Sequence, residues 1–166
     1  ENIDDIWGVD NAKGPRISLC LIPTTAGTGS EVTPVSIIKI DGEEKKGVVS
    51  SKLLPDLAIL DPCLTLGLPA EITAATGVDA MVHAIEAFTS RNSNNNPISQ
   101  FFAKEALTLL SRSIITAVND GSQKTSRSEM LMGSMLAGIA FANSPVAGVH
   151  ALAYPLGGIF CIPHGL

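Results

Sequence analysis

The sequence contains little charge, few aromatic side chains and few cysteines. Charged residues make up 16% and aromatic residues 4% of its 166 residues, whereas soluble domains usually have roughly 25% charged residues. The net charge is −5 and no basic stripe is present, so the electrostatic footprint of a nucleic-acid-binding protein is missing. With 45% hydrophobic residues, the composition predicts a globular core and surface that is buried against further chain, a second subunit, or both.

Three widely spaced cysteines without a Cys-x-x-Cys pair argue against a disulfide framework and a cysteine-built zinc site. They favour a reducing, cytoplasmic setting. No apolar run reaches the roughly 18–20 residues of a membrane span, and no signal peptide is indicated at the start. Because the sequence does not begin with Met and ends in a turn motif around His164, we expect it to be part of a longer protein.

The pattern of the sequence changes near residue 69. Short apolar runs between turn residues, at 17–22, 35–40, 47–50 and 56–61, predict strands, and Asp41-Gly42 predicts a hairpin turn. Pro69 is typical of the first residue of a helix. Apolar spacing of three to four residues then predicts helices over 76–90, 99–118 and 126–142, and a further apolar segment follows at 145–160. We therefore predict an α/β portion over 1–68 and an all-helical portion over 69–166.

All three histidines lie in the predicted helical portion, in apolar or glycine-rich surroundings. Asp79 and His83 are four residues apart, which places them on one face of a helix. If His150 and His164 faced this pair, one carboxylate and three imidazoles would converge, a set that suits divalent iron, zinc, manganese or cobalt. A histidine on an apolar helix is more often an ordinary core residue, so spacing alone leaves both interpretations open.

A loop rich in glycine, serine and threonine, residues 23–33, follows the first predicted strand. Its backbone N–H groups and hydroxyls are typical of loops that approach a phosphate. It matches neither the dinucleotide fingerprint nor the P-loop. A plain surface loop is an equally good interpretation.

Together these segments resemble the iron-containing (group III) alcohol dehydrogenase family, within the dehydroquinate-synthase-like fold group. The matching segments are 23–33, 54–62, 75–86 and 148–165. The resemblance implies an incomplete α/β nucleotide-binding portion followed by an all-helical metal-binding domain. It also implies an NAD- or NADP-linked oxidoreductase that interconverts a small alcohol with an aldehyde or ketone, and a homo-oligomer in the full-length protein. The 166-residue chain alone is expected to have little or no turnover.

The resemblance also assigns residues. It implies a divalent metal, Fe²⁺ before Zn²⁺, on Asp79, His83, His150 and His164. It implies dinucleotide binding by Thr24, Thr25, Gly27, Thr28, Gly29, Ser30 and Lys45. It places Phe141 and Asn143 at the substrate pocket, and Tyr154 where many members have a histidine thought to relay protons. A metal-dependent hydrolase or lyase, and a non-enzymatic metal-stabilised helical module, are the alternatives, and nicotinamide binding distinguishes the dehydrogenase from both.

Overall fold

The computed structural model describes residues 2–40, 45–145, 147–160, 162 and 164–165, without the side chains of 39, 45, 154–156, 158 and 159. The strands are β1 (Gly8–Val9), β2 (Cys20–Leu21), β3 (Val35–Lys39), β4 (Lys45–Val49) and β5 (Leu57–Ala58). The helices are α1 (Ala70–Thr89), α2 (Pro97–Asn119), α3 (Lys124–Asn143) and α4 (Gly148–Phe160). Short 3-10 helices occur at Ile3–Asp5, Ser30–Val32, Ser51–Leu53 and Pro62–Thr65. The predicted change from strands to helices near residue 69 is confirmed.

The predicted hairpin is present as the antiparallel pair β3 and β4, in which Val35 lies opposite Val49. Its predicted turn, Asp41-Gly42, lies outside the described residues. On the other side β4 pairs with β1 in parallel, which gives a three-stranded sheet in the order β1-β4-β3.

The predicted strands over 17–22 and 56–61 are wrong in length, since only β2 and β5 form, as a two-stranded parallel pair. A side chain adds to the backbone hydrogen bonds just before this pair, where the Leu19 carbonyl accepts the N–H groups of Asp56 and Leu57. The Asp56 carboxylate accepts the Leu19 N–H at 2.8 Å and binds the Arg16 guanidinium at 2.5 and 2.7 Å. Such a side-chain acceptor competes with strand pairing, and the regular ladder begins only at Cys20.

Helices α1, α2 and α3 pack around a core built mainly from alanine. Its large members are Leu110, Met130 and Leu131, and its small ones are Ala80, Ala84, Ala87, Ala103, Ala106, Ala117, Ala137 and Ala140. Small side chains at a helix interface permit close approach of the axes. Glycines extend this effect, because a Cβ on Gly77 would lie 2.6 Å from Met130 Cε and one on Gly133 would lie 2.7 Å from Leu110 Cγ.

The helix starts follow from local chemistry. Pro69 is the residue before α1 rather than its first residue, and one continuous helix joins the predicted start at Pro69 to the periodic segment predicted from residue 76. Pro97 is the first residue of α2, preceded by a capping box in which the Asn96 side chain accepts backbone N–H groups and Ser99 reciprocates. The predicted helices of the second portion are confirmed, with ends that differ by a few residues.

Two findings bear on the setting of the protein. In the part of the chain that the structure describes, no helix has the length and apolar character needed to cross a bilayer. Cys20 and Cys63 are exposed free thiols. The third cysteine, Cys161, lies outside the described residues.

Arg127, which is 2% exposed, joins the start of α3 to the entry of α1. Its guanidinium donates to the Thr73 hydroxyl at 2.7 Å, the Gly121 carbonyl at 3.0 Å and the Leu68 carbonyl at 3.2 Å. Hydrogen bonds from a buried charged group contribute more than neutral ones. One buried side chain thus holds the start of α3 against the entry of α1.

We expect Arg127→Ala to lower the free energy of unfolding by about 2–4 kcal/mol, because Thr73 and the Leu68 carbonyl lose their donor and a void remains. Arg112→Ala is the matched control, since that guanidinium is 60% exposed and pairs with Glu129 at the surface. It should cost less than about 1 kcal/mol. Urea unfolding of both variants checks this, and equal losses would contradict the role assigned to Arg127.

Candidate metal centre

Helix α1 places Asp79 and His83 side by side in the interior. They are four residues apart on one helix face, and His83 Nε2 lies 3.8 Å from Asp79 Oδ1. The carboxylate and the imidazole are 10% and 8% exposed. This pair was predicted from its spacing, and the helix forms as that spacing requires.

The other two histidines reach the same carboxylate oxygen from the far end of the chain. His150, in the first turn of α4, has its Nε2 3.7 Å from Asp79 Oδ1. His164, in the turn after α4, has its Nε2 3.6 Å from that oxygen. The side chain of His164 is 31% exposed, whereas His150 is 5% exposed. All four residues of the predicted ligand set therefore face one point.

The donor geometry fits a divalent ion. One ligand atom each from Asp79, His83 and His150 lie within 4.8 Å of one another, and ligands about 2.1 Å from a tetrahedral ion are about 3.4 Å apart. The buried Nε2 of His150 has no hydrogen-bond partner among the described residues, and 3.7 Å from Asp79 is beyond hydrogen-bond length. A bound cation would satisfy this atom.

Burial and charge oppose each other at this site. Burial would raise the pKa of Asp79, but His150, His83 and His164 outweigh it and hold that pKa below its ordinary value. Burial lowers the pKa of His83 despite Asp79 nearby. For His150 burial also acts to lower the pKa, but the carboxylates of Asp79 and Glu86 raise it above its ordinary value. The carboxylate is therefore charged at neutral pH, as a metal ligand must be.

Glu86 belongs to the site although the sequence analysis did not single it out. Its carboxylate is buried on α1, and its Oε2 lies 2.6 Å from His150 Nδ1. Burial would raise the pKa of Glu86, but hydrogen bonds from the backbone of Ala147, from His150 and from the backbone of Val149 hold it below its ordinary value. The signal was available in part, since Glu86 follows His83 by three residues and so shares its helix face.

The glycine-threonine loop packs directly against helices α1 and α3. Gly29 has φ +58° and a Cβ there would lie 2.7 Å from Gly138 Cα, while a Cβ on Gly27 would lie 2.8 Å from Thr76 Cβ. Ala26, Gly27 and Gly29 are buried and Thr28 is exposed. The loop therefore packs through its small residues and presents its hydroxyls outward.

A cavity of about 700 Å³ connects this loop to the histidine cluster. Its walls come from the loop, from the β3–β4 hairpin, from the end of α3 and from the cluster itself. The lining residues include Thr28, Ser30, Val35, Ile37, Val49, Asp79, His83, Phe141, Pro145, His150 and His164. The loop and the predicted metal ligands therefore face one shared space.

Some of the other predicted site residues line the cavity and others do not. Phe141 lines the cavity, with its ring 4.7 Å from that of His83. Asn143 is not among the described lining residues, and its side chain donates to the Ile139 carbonyl at 2.9 Å. Thr24, Thr25, Gly27 and Gly29 are likewise not among them. The side chains of Lys45 and Tyr154 lie outside the described residues.

The sequence matches two parts of one family. The family model described as "Iron-containing alcohol dehydrogenase" matches residues 1–62. The model described as "Fe-containing alcohol dehydrogenase family, C-terminal" matches residues 73–166. Long-chain-alcohol dehydrogenase 1 of Geobacillus thermodenitrificans is 54% identical over 145 residues, which are 87% of this chain and 36% of that protein.

Solved structures give the same result. An alcohol dehydrogenase from Oenococcus oeni matches with a TM-score of 0.93 and 39% identity, over 99% of this chain and 43% of that one. A sulfoacetaldehyde reductase from Bifidobacterium kashiwanohense, solved with NAD⁺, matches with a TM-score of 0.90 and 37% identity, over 99% and 44%. The chain spans less than half the length of each of these proteins. Its two matched segments and its dehydroquinate-synthase-like fold show that it belongs to the iron-containing alcohol dehydrogenase family.

Proposed function

We propose that the protein is a metal-dependent, NAD- or NADP-linked oxidoreductase that interconverts a small alcohol with an aldehyde or ketone. The observation that carries the proposal is the shared cavity, in which the Asp79–His83–His150 cluster and the hydroxyls of Thr28 and Ser30 face each other. Residues 1–68 would be the nucleotide-binding portion and 69–166 the metal-binding portion. A homo-oligomer in a reducing cytoplasm is part of the same proposal.

Each part of the cavity has a role in this proposal. Asp79, His83, His150 and His164 would hold Fe²⁺ or Zn²⁺, since imidazole with carboxylate suits both. A divalent ion there would supply Lewis-acid polarisation of the substrate oxygen, and a nicotinamide would supply the hydride acceptor or donor. The loop residues 24–30 would approach the dinucleotide through hydroxyls and backbone N–H groups, with Lys45 beside them.

The apolar residues would shape the substrate end. Phe141 packs against His83, so its ring would position the carbon chain next to the cluster and exclude water. Asn143 and Tyr154 would complete this end, the tyrosine hydroxyl by passing a hydrogen bond. We do not favour a hydrolase, a lyase or a structural module, because none of them accounts for the exposed hydroxyls of the loop. The named relatives are also dehydrogenases and reductases.

The direct test uses the intact protein, stripped of metal and reloaded anaerobically with Fe²⁺ or Zn²⁺. With a primary alcohol and NAD or NADP, we expect metal-dependent formation of reduced nicotinamide, followed by absorbance. His150→Ala should lower this rate by on the order of 100-fold or more, because several kcal/mol of charge stabilisation is lost. Arg112→Ala, remote from the cavity, is the control. Bound metal without nicotinamide turnover on any alcohol would support the hydrolase or structural alternatives instead.

Metal affinity should depend on pH in a direction set by His150. The imidazole must be neutral to bind, and the pKa of His150 is raised, so protons compete with the metal up to a higher pH than usual. We expect the affinity for Zn²⁺ to rise from about pH 6 to above the ordinary imidazole pKa of about 6.5, by about tenfold per unit for each proton displaced, and to level off only where His150 is neutral. Calorimetry in buffers of different ionisation enthalpy measures the protons released. Affinity that is constant over this range would contradict the ligand set.

The packing of the loop against α3 can be tested separately from metal binding. A Cβ on Gly138 would lie 2.6 Å from the Gly29 carbonyl oxygen, so Gly138→Ala must displace the loop. We expect nicotinamide affinity to fall by about tenfold or more while Zn²⁺ affinity is kept. Gly133→Ala on the same helix, which would contact Leu110 instead, is the matched control. Equal nicotinamide affinity in the two variants would refute the role of this contact.

A further inference from the structure

The Glu86 carboxylate lies where α1, the start of α4 and His150 meet. Its Oε2 accepts the backbone N–H of Ala147 at 3.0 Å and faces His150 Nδ1 at 2.6 Å. Its Oε1 accepts the backbone N–H of Val149 at 2.7 Å. Both the carboxylate and the imidazole are nearly excluded from solvent. Three donors from one short segment therefore converge on one side chain from α1.

This arrangement determines which nitrogen of His150 bears a proton. An ionised carboxylate only accepts hydrogen bonds, so Nδ1 of His150 must carry the hydrogen that faces Glu86. In the neutral ring the lone pair is then on Nε2, the atom that faces Asp79 at 3.7 Å and has no hydrogen-bond partner among the described residues. A ligand nitrogen requires that lone pair.

The same carboxylate holds the helix that carries this ring. Val149 lies in the first turn of α4, where backbone N–H groups have no partner within the helix. Negative charge is favourable at this end of a helix, and Glu86 supplies it across from α1. The position of α4 and the orientation of His150 therefore depend on one buried side chain.

We propose that Glu86 is a positioning residue of the metal centre: it fixes the Nδ1–H form of His150 and docks the start of α4 on α1, so that Nε2 is presented to the ion. The inference rests on the proposed function only in that the cluster binds a divalent ion. Neither nicotinamide nor alcohol enters it.

The test measures Zn²⁺ affinity of the metal-free intact protein by competition with a chelator, without cofactor or substrate. In Glu86→Gln the amide has one acceptor oxygen and one NH₂ group, so it cannot accept all three donors. We expect Zn²⁺ affinity to fall by about 10- to 100-fold. Glu129→Gln is the matched control, since Glu129 also accepts side-chain hydrogen bonds between helices, from Arg112 and Ser113. It removes a carboxylate without touching the centre and should leave Zn²⁺ affinity unchanged.

A second measurement needs no variant and therefore does not depend on whether Glu86→Gln folds. Ring ¹⁵N NMR of the metal-free wild-type protein, recorded at a pH high enough that the His150 ring signals no longer change with pH, should show the Nδ1–H form of His150. Wild-type Zn²⁺ affinity in Glu86→Gln, an equal loss in Glu129→Gln, or the Nε2–H form of His150 would each overturn the proposal. A wild-type protein that binds no divalent ion would overturn the proposed metal centre and this inference with it, and it is recognisable because the failure precedes any substitution.

Discussion

The structure depends on the burial of a carboxylate next to three imidazoles. His150 lies between two carboxylates, with Nε2 facing Asp79 and Nδ1 facing Glu86. Burying two negative charges is costly unless positive charge compensates them, which is why the pKa of His150 is raised. Protonated His150 gives partial compensation, and a divalent ion gives more. Compensation by His150 requires the start of α4 against the face of α1, and an ion held by the full ligand set requires the turn at His164 as well.

Small residues are the second constraint, because they let backbone approach backbone around this centre. The loop rests with Gly27 against Thr76 of α1 and Gly29 against Gly138 of α3. A side chain at either contact would push the loop away from the helices, because its Cβ would lie 2.8 Å from Thr76 Cβ or 2.7 Å from Gly138 Cα. Since the alanine-rich core fixes α1 and α3 relative to each other, the distance from the loop hydroxyls to the histidine cluster is set by backbone packing. Helix α1 therefore takes part in both, since it carries Asp79 and His83 and also supports the loop at Thr76.

The sequence predicted the parts of this arrangement that local rules determine. Periodicity located the helices, the turn residues located the β3–β4 hairpin, and the four-residue spacing placed Asp79 beside His83. The convergence of His150 and His164 on that pair is a long-range contact that spacing cannot supply, and only the family resemblance predicted it. Strand lengths failed at β2, where the Leu19 N–H donates to the Asp56 side chain just before the regular ladder begins. Glu86 was missed because its partners lie at the start of α4.

The lining of the cavity combines charged, hydroxyl and apolar side chains, the combination that the proposed hydride transfer would use. Among the described lining residues, the ionisable groups are the four of the metal cluster, and the hydroxyls come from the loop and from Ser36 of β3. Val35, Ile37 and Phe141 are apolar members of the same lining. An apolar wall beside one charged corner keeps water away from a reacting carbon and leaves charge at the oxygen.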